Sequence, residues 1–489
     1  MRNAMRLVCL TTIASVALPL FAANPASELA AALDDLQRNV PPTEWRTTRY
    51  LSLYGVPPDD RTTYRSVASF TLNSLSRQAR RVAPDVVDGD GGTLLRIDLD
   101  ELKLPTDAWE ALVADREPYW HITTDVLDPQ THKRSTVFTD GGWLDLDAAR
   151  RLREATHSGG ALVRGDWFIA KAATPPHYYR LAGIGGTLAE WHELVGVDKK
   201  AILALRANRG ANLFRSGVTR KPRRISRWQG PAGGVWQTYD TFGDDPRKDP
   251  IRNPTFSGGY DASEHIAAKP NGLFWFALFD AQGKRQDSVP DRLAKDDSDP
   301  HGDGVLVPML SCVRCHVEDG LRPFVDDQQR LLAGDVKLFA ADDDIADVLA
   351  AFYDVARLEV QAARDREDYA AAVAKATGGM TTKQLAAALA DVYRRYQNDL
   401  VDPAAASREL GVDDLGSLRA SRDPILLALA IGGSVQRQQW EASFAEAALL
   451  AAGNGAGGAG RGSANAPTTD VPGGTTPTES EHEPFIPSE

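Results

Sequence analysis

Apolar residues recur at helical spacing in the first third of the chain. Ser27 to Asn39 reads as a short amphipathic helix, and Asp59 to Arg77 as a second, with Tyr64, Val67, Phe70, Leu72 and Leu75 on its apolar face. Strand signals follow. Thr93 to Leu99 alternates around Leu95, Ile97 and Leu99, Ala161 to Ala172 carries the run Trp167-Phe168-Ile169, and Leu273 to Phe279 is almost continuously hydrophobic, as a buried strand is. Helical stretches are predicted between them at Asp107 to Asp115, Asp145 to Thr156 and Thr187 to Leu194. Further on the texture becomes alanine-rich and amphipathic, predicting helices over Asp343 to Thr377, Thr382 to Asn398, Pro403 to Leu410 and Ser434 to Ala452. From Gly453 to Glu489 the chain is dominated by Gly, Ala, Ser, Thr, Pro and Glu, which bury too little apolar surface to offset ordering, so a disordered tail is expected.

The fold class implied is α+β: an N-terminal mixed domain over 24–290, a mainly helical domain over 291–452 and the tail over 453–489. Composition adds little, because 43% apolar and 25% charged residues are ordinary for a globular chain, while 489 residues suffice for two or three domains. The first residues differ. Arg2 and Arg6, the apolar run from Leu7 to Phe21 and then Ala22-Ala23 have the order of a secretory signal peptide, so residues 1–23 are expected to be removed on export. That run is too short to span a membrane comfortably, and no later segment is long and apolar enough. Losing Arg2 and Arg6 takes the formal net charge from -12 to -14, which argues against nucleic acid or anionic lipid as a general partner.

Chemistry is concentrated in Cys312-Val313-Arg314-Cys315-His316, the C-x-x-C-H pattern of covalent haem attachment. Two thiols about one helical turn apart suit the two vinyl groups of one porphyrin, and the following imidazole suits its iron. Cys312 and Cys315 are therefore the candidate attachment residues and His316 the candidate iron ligand. The third cysteine, Cys9, lies in the removable segment. A dithiol redox pair or part of a zinc site are the competing readings; Val305 to Ser311 gives no clear βαβ context for the first, and the second lacks another cysteine pair.

From Leu310 to Phe324 the chain resembles the c-type cytochromes, whose haem domains carry this motif early and follow it with enclosing helices. More loosely, Asn271-Gly272-Leu273, Asp280-Ala281-Gln282-Gly283 and Leu310-Ser311-Cys312 resemble large secreted bacterial monohaem proteins. The resemblance implies one covalently bound haem c, single-electron transfer in the periplasm, and redox proteins as partners, with no separate catalytic residues. Such proteins often set a proline soon after the haem histidine, where a backbone carbonyl orients the imidazole; Pro323 is the candidate, a plain turn the alternative.

The sixth iron position stays open. Met380, before a predicted helix, is the thioether candidate, with His121, His132, His157, His177, His192, His265 and His301 as further donors. An open position would instead suit a haem-based sensor or a peroxidase-like oxidoreductase, although the sequence nominates no acid–base group for the latter. A scaffold with haem as a structural staple is a third reading. The basic stretch Arg206, Arg209, Arg215, Arg220, Lys221, Arg223, Arg224 and Arg227 reads first as a solvated loop and second as a partner for haem propionates or an acidic protein. The acidic loop Asp296 to Asp303 reads as a hydrated connector rather than a calcium loop, and Phe274-Trp275-Phe276 as core or as a wall of the haem pocket.

Overall fold

The computed structural model describes residues 25–455, apart from 88–91, 115–122, 128–133, 139–145, 199, 201, 203–206, 215–220, 243–244, 252, 254–258, 290–304, 325, 327–342 and 411. The expected signal peptide, acidic loop and tail beyond Gly455 lie outside the described residues, as do His121, His132 and His301. Among the described residues no helix is long and apolar enough to cross a membrane.

The first part is laid around a four-stranded sheet. In chain order come α1 (Pro25–Asn39), β1 (Thr48–Ser52), α2 (Arg61–Leu75), β2 (Asp85–Val86), β3 (Leu94–Asp98), α3 (Leu99–Leu102), α4 (Thr106–Ala114), β4 (Thr123–Leu127), β5 (Arg134–Phe138), α5 (Leu146–Thr156), β6 (Leu162–Arg164), α6 (Gly165–Ala172), α7 (His177–Ala182) and α8 (Leu188–Leu194). The strand order is β2-β3-β1-β6, antiparallel except for the parallel β1–β6 pair; β4 and β5 form a separate hairpin. One face buries Leu29, Leu33 and Leu36 of α1 and Leu152 of α5. The other meets α2, α4, α6 and α7 in the main core. Two buried acids fix α1 in place: Asp35 accepts from the Tyr50 hydroxyl at 2.8 Å, and Glu28 from the Ser52 hydroxyl at 2.7 Å.

The strand expected over Ala161 to Ala172 is mostly a helix. Only Leu162–Arg164 is extended, and Trp167, Phe168 and Ile169 belong to α6, where each is at most 1% exposed. A run buried on every side loses the periodicity that separates helix from strand.

A second sheet, an antiparallel meander of five strands, precedes the C-x-x-C-H motif in the chain. Its members are β7 (Arg209–Leu213), β8 (Arg223–Gly230), β9 (Gly233–Asp240), β10 (Ala262–Ala268) and β11 (Phe274–Asp280). Of the basic stretch, Arg209, Arg224 and Arg227 are buried on β7 and β8 and not solvated, while Arg206, Arg215 and Arg220 lie outside the described residues. Burial is tolerated because acceptors are supplied, with Arg227 Nε and Nη2 donating to Asp365 at 2.8 and 2.9 Å and Arg224 Nη2 donating to Asn253 O at 2.8 Å. Asn271 Nδ2, in the turn before β11, donates to the Asn73 carbonyl at 2.9 Å, so this turn closes the last carbonyls of α2. Asp280 Oδ1 accepts from the Gln282 and Lys284 amides at 3.0 and 2.9 Å in the turn that follows.

The last part is helical: α9 (Leu310–Cys315), α10 (Asp343–Phe352), α11 (Val355–Thr377), α12 (Thr382–Asn398), α13 (Pro403–Leu410), α14 (Pro424–Ala430) and α15 (Arg437–Gly455). The stretch expected as one helix over Asp343 to Thr377 is two, because Asp354 leaves the helix and its side chain accepts from Arg357 N, capping α11. The final helix begins three residues later than expected, at Arg437, and runs to Gly455, past the expected start of the tail. The main core includes Leu51 and Phe70 together with Phe276, Val313, Tyr369 and Leu389, so apolar packing is continuous across residue 290. Residues 401–448 have their own cluster around Trp440, joined to the rest through Glu409, which pairs with Arg164 at 2.9 Å.

Candidate functional site

A strained turn introduces the motif. Met309 has φ 65° and ψ -69°, and Leu310 N donates to Pro308 O at 3.0 Å, closing a tight γ-turn that costs about 1–3 kcal/mol for a side-chain-bearing residue. The Met309 side chain is 1% exposed in the main core, so packing holds the turn in place. Ser311 Oγ accepts from Val307 N at 3.0 Å, satisfying a backbone donor of the approach to α9. One turn of helix brings Cys312 and Cys315 together, and His316 ends it, its amide donating to Cys312 O at 2.8 Å.

The chain then doubles back through Asp319 (φ 53°) and Gly320 (φ 86°). A Cβ on Gly320 would stand 2.5 Å from Tyr369 Cδ1 and 2.7 Å from Phe274 Cε2, so close approach as well as conformation requires glycine there. The Thr382 hydroxyl, at the start of α12, bonds Val317 O at 3.0 Å and the Asp319 carboxylate at 2.7 Å.

Between α9 and the meander lies a cavity of about 280 Å³. Cys315, His316, Leu321 and Phe324 form one wall, and Ile225, Trp236, Thr238, Glu264 and Ile266 form the opposite one; Arg322 and Pro323, both exposed, stand at the mouth. The wall is a consequence of strand register: Ile225 pairs with Thr238, Trp236 with Ile266, and Ile266 with Phe276, so these side chains share a face. Phe276 stands 6.5 Å, ring to ring, from His316, and Phe274 beside it stacks on Tyr369 at 4.3 Å.

Burial pushes the His316 imidazole down to about 4, so it is neutral at pH 7 and able to donate a lone pair. Its Nδ1 is buried without a hydrogen-bond partner among the described residues. Burial pushes both thiols up, Cys312 well above the usual thiol range. That keeps them protonated, the opposite of the stabilised thiolate that makes a dithiol a redox catalyst. The Glu264 carboxylate acts electrostatically on Cys312, Cys315 and His316 alike, which sets all three in one neighbourhood. Among the described residues no three His, Cys, Asp or Glu side chains converge as a metal site. Neutral imidazole, adjacent protonated thiols and an apolar-walled cavity are a donor set that fits haem c.

No family model, curated protein or solved structure matches the chain.

The other candidates are distributed unevenly about this cavity. Pro323 reaches its mouth, but no hydrogen bond joins its carbonyl to His316 Nδ1. Met380 is not among the cavity's lining residues; it sits in the turn between α11 and α12, its amide donating to Thr377 Oγ1 at 3.0 Å. His265 occupies the far face of β10 with Trp191 at 5.7 Å, His192 at 6.4 Å and Phe279 at 5.1 Å between ring centroids. His177 is buried at the start of α7 and His157 is exposed. Sequence reasoning missed Glu264 and Thr238, and weighed Arg223 only within a basic stretch. Their strands carry few large apolar residues, and Glu264 in particular lies within Ala262–Ala268, where alternation of burial is plain in the structure but faint in the sequence.

Proposed function

We propose that this chain is an exported monohaem c-type cytochrome that transfers single electrons. The observation that carries the reading is the combination of Cys312, Cys315 and neutral His316 on one helical turn with a cavity whose facing sheet carries Ile225, Trp236 and Ile266 beside the polar Thr238 and Glu264. Haem c, when bound, supplies the one-electron chemistry of its iron. Cys312 and Cys315 would hold the ring through thioethers and His316 the iron, while Ile225, Trp236, Ile266 and Phe324 would give it apolar contacts. Residues 1–23 would direct the chain to the periplasm, and redox proteins would be its partners.

The second reading, an open iron position serving a sensor or a peroxidase-like oxidoreductase, is favoured by the lining itself, where the wall opposite His316 offers Glu264 and Thr238 rather than the Met380 thioether. In either case Cys312→Ala with Cys315→Ala abolishes haem that survives denaturing electrophoresis. Full retention of covalent haem by that variant would overturn the proposal.

A further inference from the structure

At the polar end of the cavity Arg223, Thr238 and Glu264 are locked into one hydrogen-bonded group. Arg223 Nε donates to Asp240 and Nη1 to Glu264 Oε2 at 3.2 Å, the Thr238 hydroxyl donates to Asp240 Oδ2 at 2.6 Å, and Glu264 N donates back to Thr238 Oγ1 at 2.9 Å. Arg223 is 12% exposed, yet its Nη2 is buried and has no partner among the described residues. A buried charged donor is costly unless it is paired, so Nη2 calls for an acceptor from a bound molecule. An anion suits it poorly, because one guanidinium already serves two carboxylates and the group as a whole carries net negative charge. The complement is a small uncharged molecule that accepts from Nη2 and donates to Glu264.

We infer that Arg223 and Glu264 form a recognition pair for a small neutral hydroxylic ligand, of the class of water or hydrogen peroxide, held in the cavity that His316 faces. This rests on the haem reading of that cavity. It adds the identity of the binding residues and the kind of ligand they select. The pair is rigid, since Arg223 is fixed at two of its nitrogens and Glu264 lies on the middle of β10.

The test uses the exported full chain, with carbon monoxide as a neutral probe on the reduced protein and azide as an anionic probe on the oxidised protein. In the infrared, the bound C–O stretch should rise in Arg223→Lys, which loses the Nη2 donor, and fall in Glu264→Gln, which loses the negative charge. Azide should bind about tenfold more tightly to Glu264→Gln than to the parent, the equivalent of about 1.4 kcal/mol. A C–O stretch unmoved in both variants, an iron that takes up no carbon monoxide, or azide affinity falling in Glu264→Gln would overturn the inference. Haem staining after denaturing electrophoresis is read on the same samples; its absence would instead overturn the haem reading beneath it. Glu264→Gln keeps a hydrogen-bond acceptor for Arg223, so one arm remains readable if Arg223→Lys does not fold.

Discussion

Replacing Asp365 by alanine removes the carboxylate that fastens α11 to the meander on the same sheet face that walls the cavity. Arg227 Nε and Nη2 donate to it at 2.8 and 2.9 Å, and Trp236 Nε1 at 2.8 Å. The two charged side chains are 4% and 5% exposed, so water cannot replace the lost partner. Breaking a buried pair by deleting one member costs about 3–5 kcal/mol, because the other charge stays behind, and the stranded indole N–H pushes the loss toward the upper end. Urea unfolding followed by tryptophan fluorescence and far-UV circular dichroism should register that loss. The double variant Arg227→Met with Asp365→Asn leaves no charge and keeps an acceptor for Trp236, so it should recover at least half of the stability. A loss below about 1 kcal/mol in Asp365→Ala, the range of an exposed pair, or a double variant whose loss equals the sum of the two single substitutions, would refute the argument.

Gly320→Ala should destabilise by about 2–4 kcal/mol, through strain at φ 86° and overlap with Tyr369 and Phe274, seen as a lowered melting temperature; an unchanged melt would refute the turn described here. His192 and His265 are both held below their ordinary range by burial. As pH falls, the unfolded imidazoles take up protons near 6.5 before the folded ones do, so the stability present above about 6.5 is lost as the pH falls from there through the folded values, at up to about 1.4 kcal/mol per pH unit for each histidine. Unfolding measured between pH 7.5 and 5 should show that slope, and His265→Leu should flatten it by one histidine's share. Glu409 accepts from Arg437 and Trp440, each at 2.6 Å, besides its pair with Arg164, so Glu409→Ala should loosen residues 401–448 and speed protease cleavage near Asn398 to Asp402; an unchanged digestion pattern would exclude this fastening role.

Elements with one polar face were legible in the sequence, and so was β11, whose short unbroken apolar run reads as a buried strand. Helices α1, α2, α5 and α12 present one apolar side each, and β3 and β11 stand within a residue or so of their expected places. Legibility failed in α6, since Trp167, Phe168 and Ile169 meet protein on every side. It failed again for the meander, whose strands β7, β8 and β10 spend many positions on Arg, Ser, Asn, Glu and His. Those residues are buried by pairing with groups remote in sequence, Arg227 with Asp365 and Arg223 with Glu264, and no local pattern announces such partners. Of the site, the C-x-x-C-H run was legible because its residues are contiguous, and the structure sets Cys315 and His316 on the cavity. The facing wall was not, because it is assembled by strand register from three strands.

The most direct test of the central claim is an absorption spectrum of the chain exported into a periplasm equipped for haem attachment, recorded oxidised, reduced and after carbon monoxide. Covalent haem, with spectra that change reversibly on reduction, is the predicted result. Indifference to carbon monoxide would mark two strong axial ligands and a dedicated electron carrier, whereas ready uptake would mark the open position that the Glu264 wall favours. Protein that emerges folded and carries no covalent haem would contradict the account.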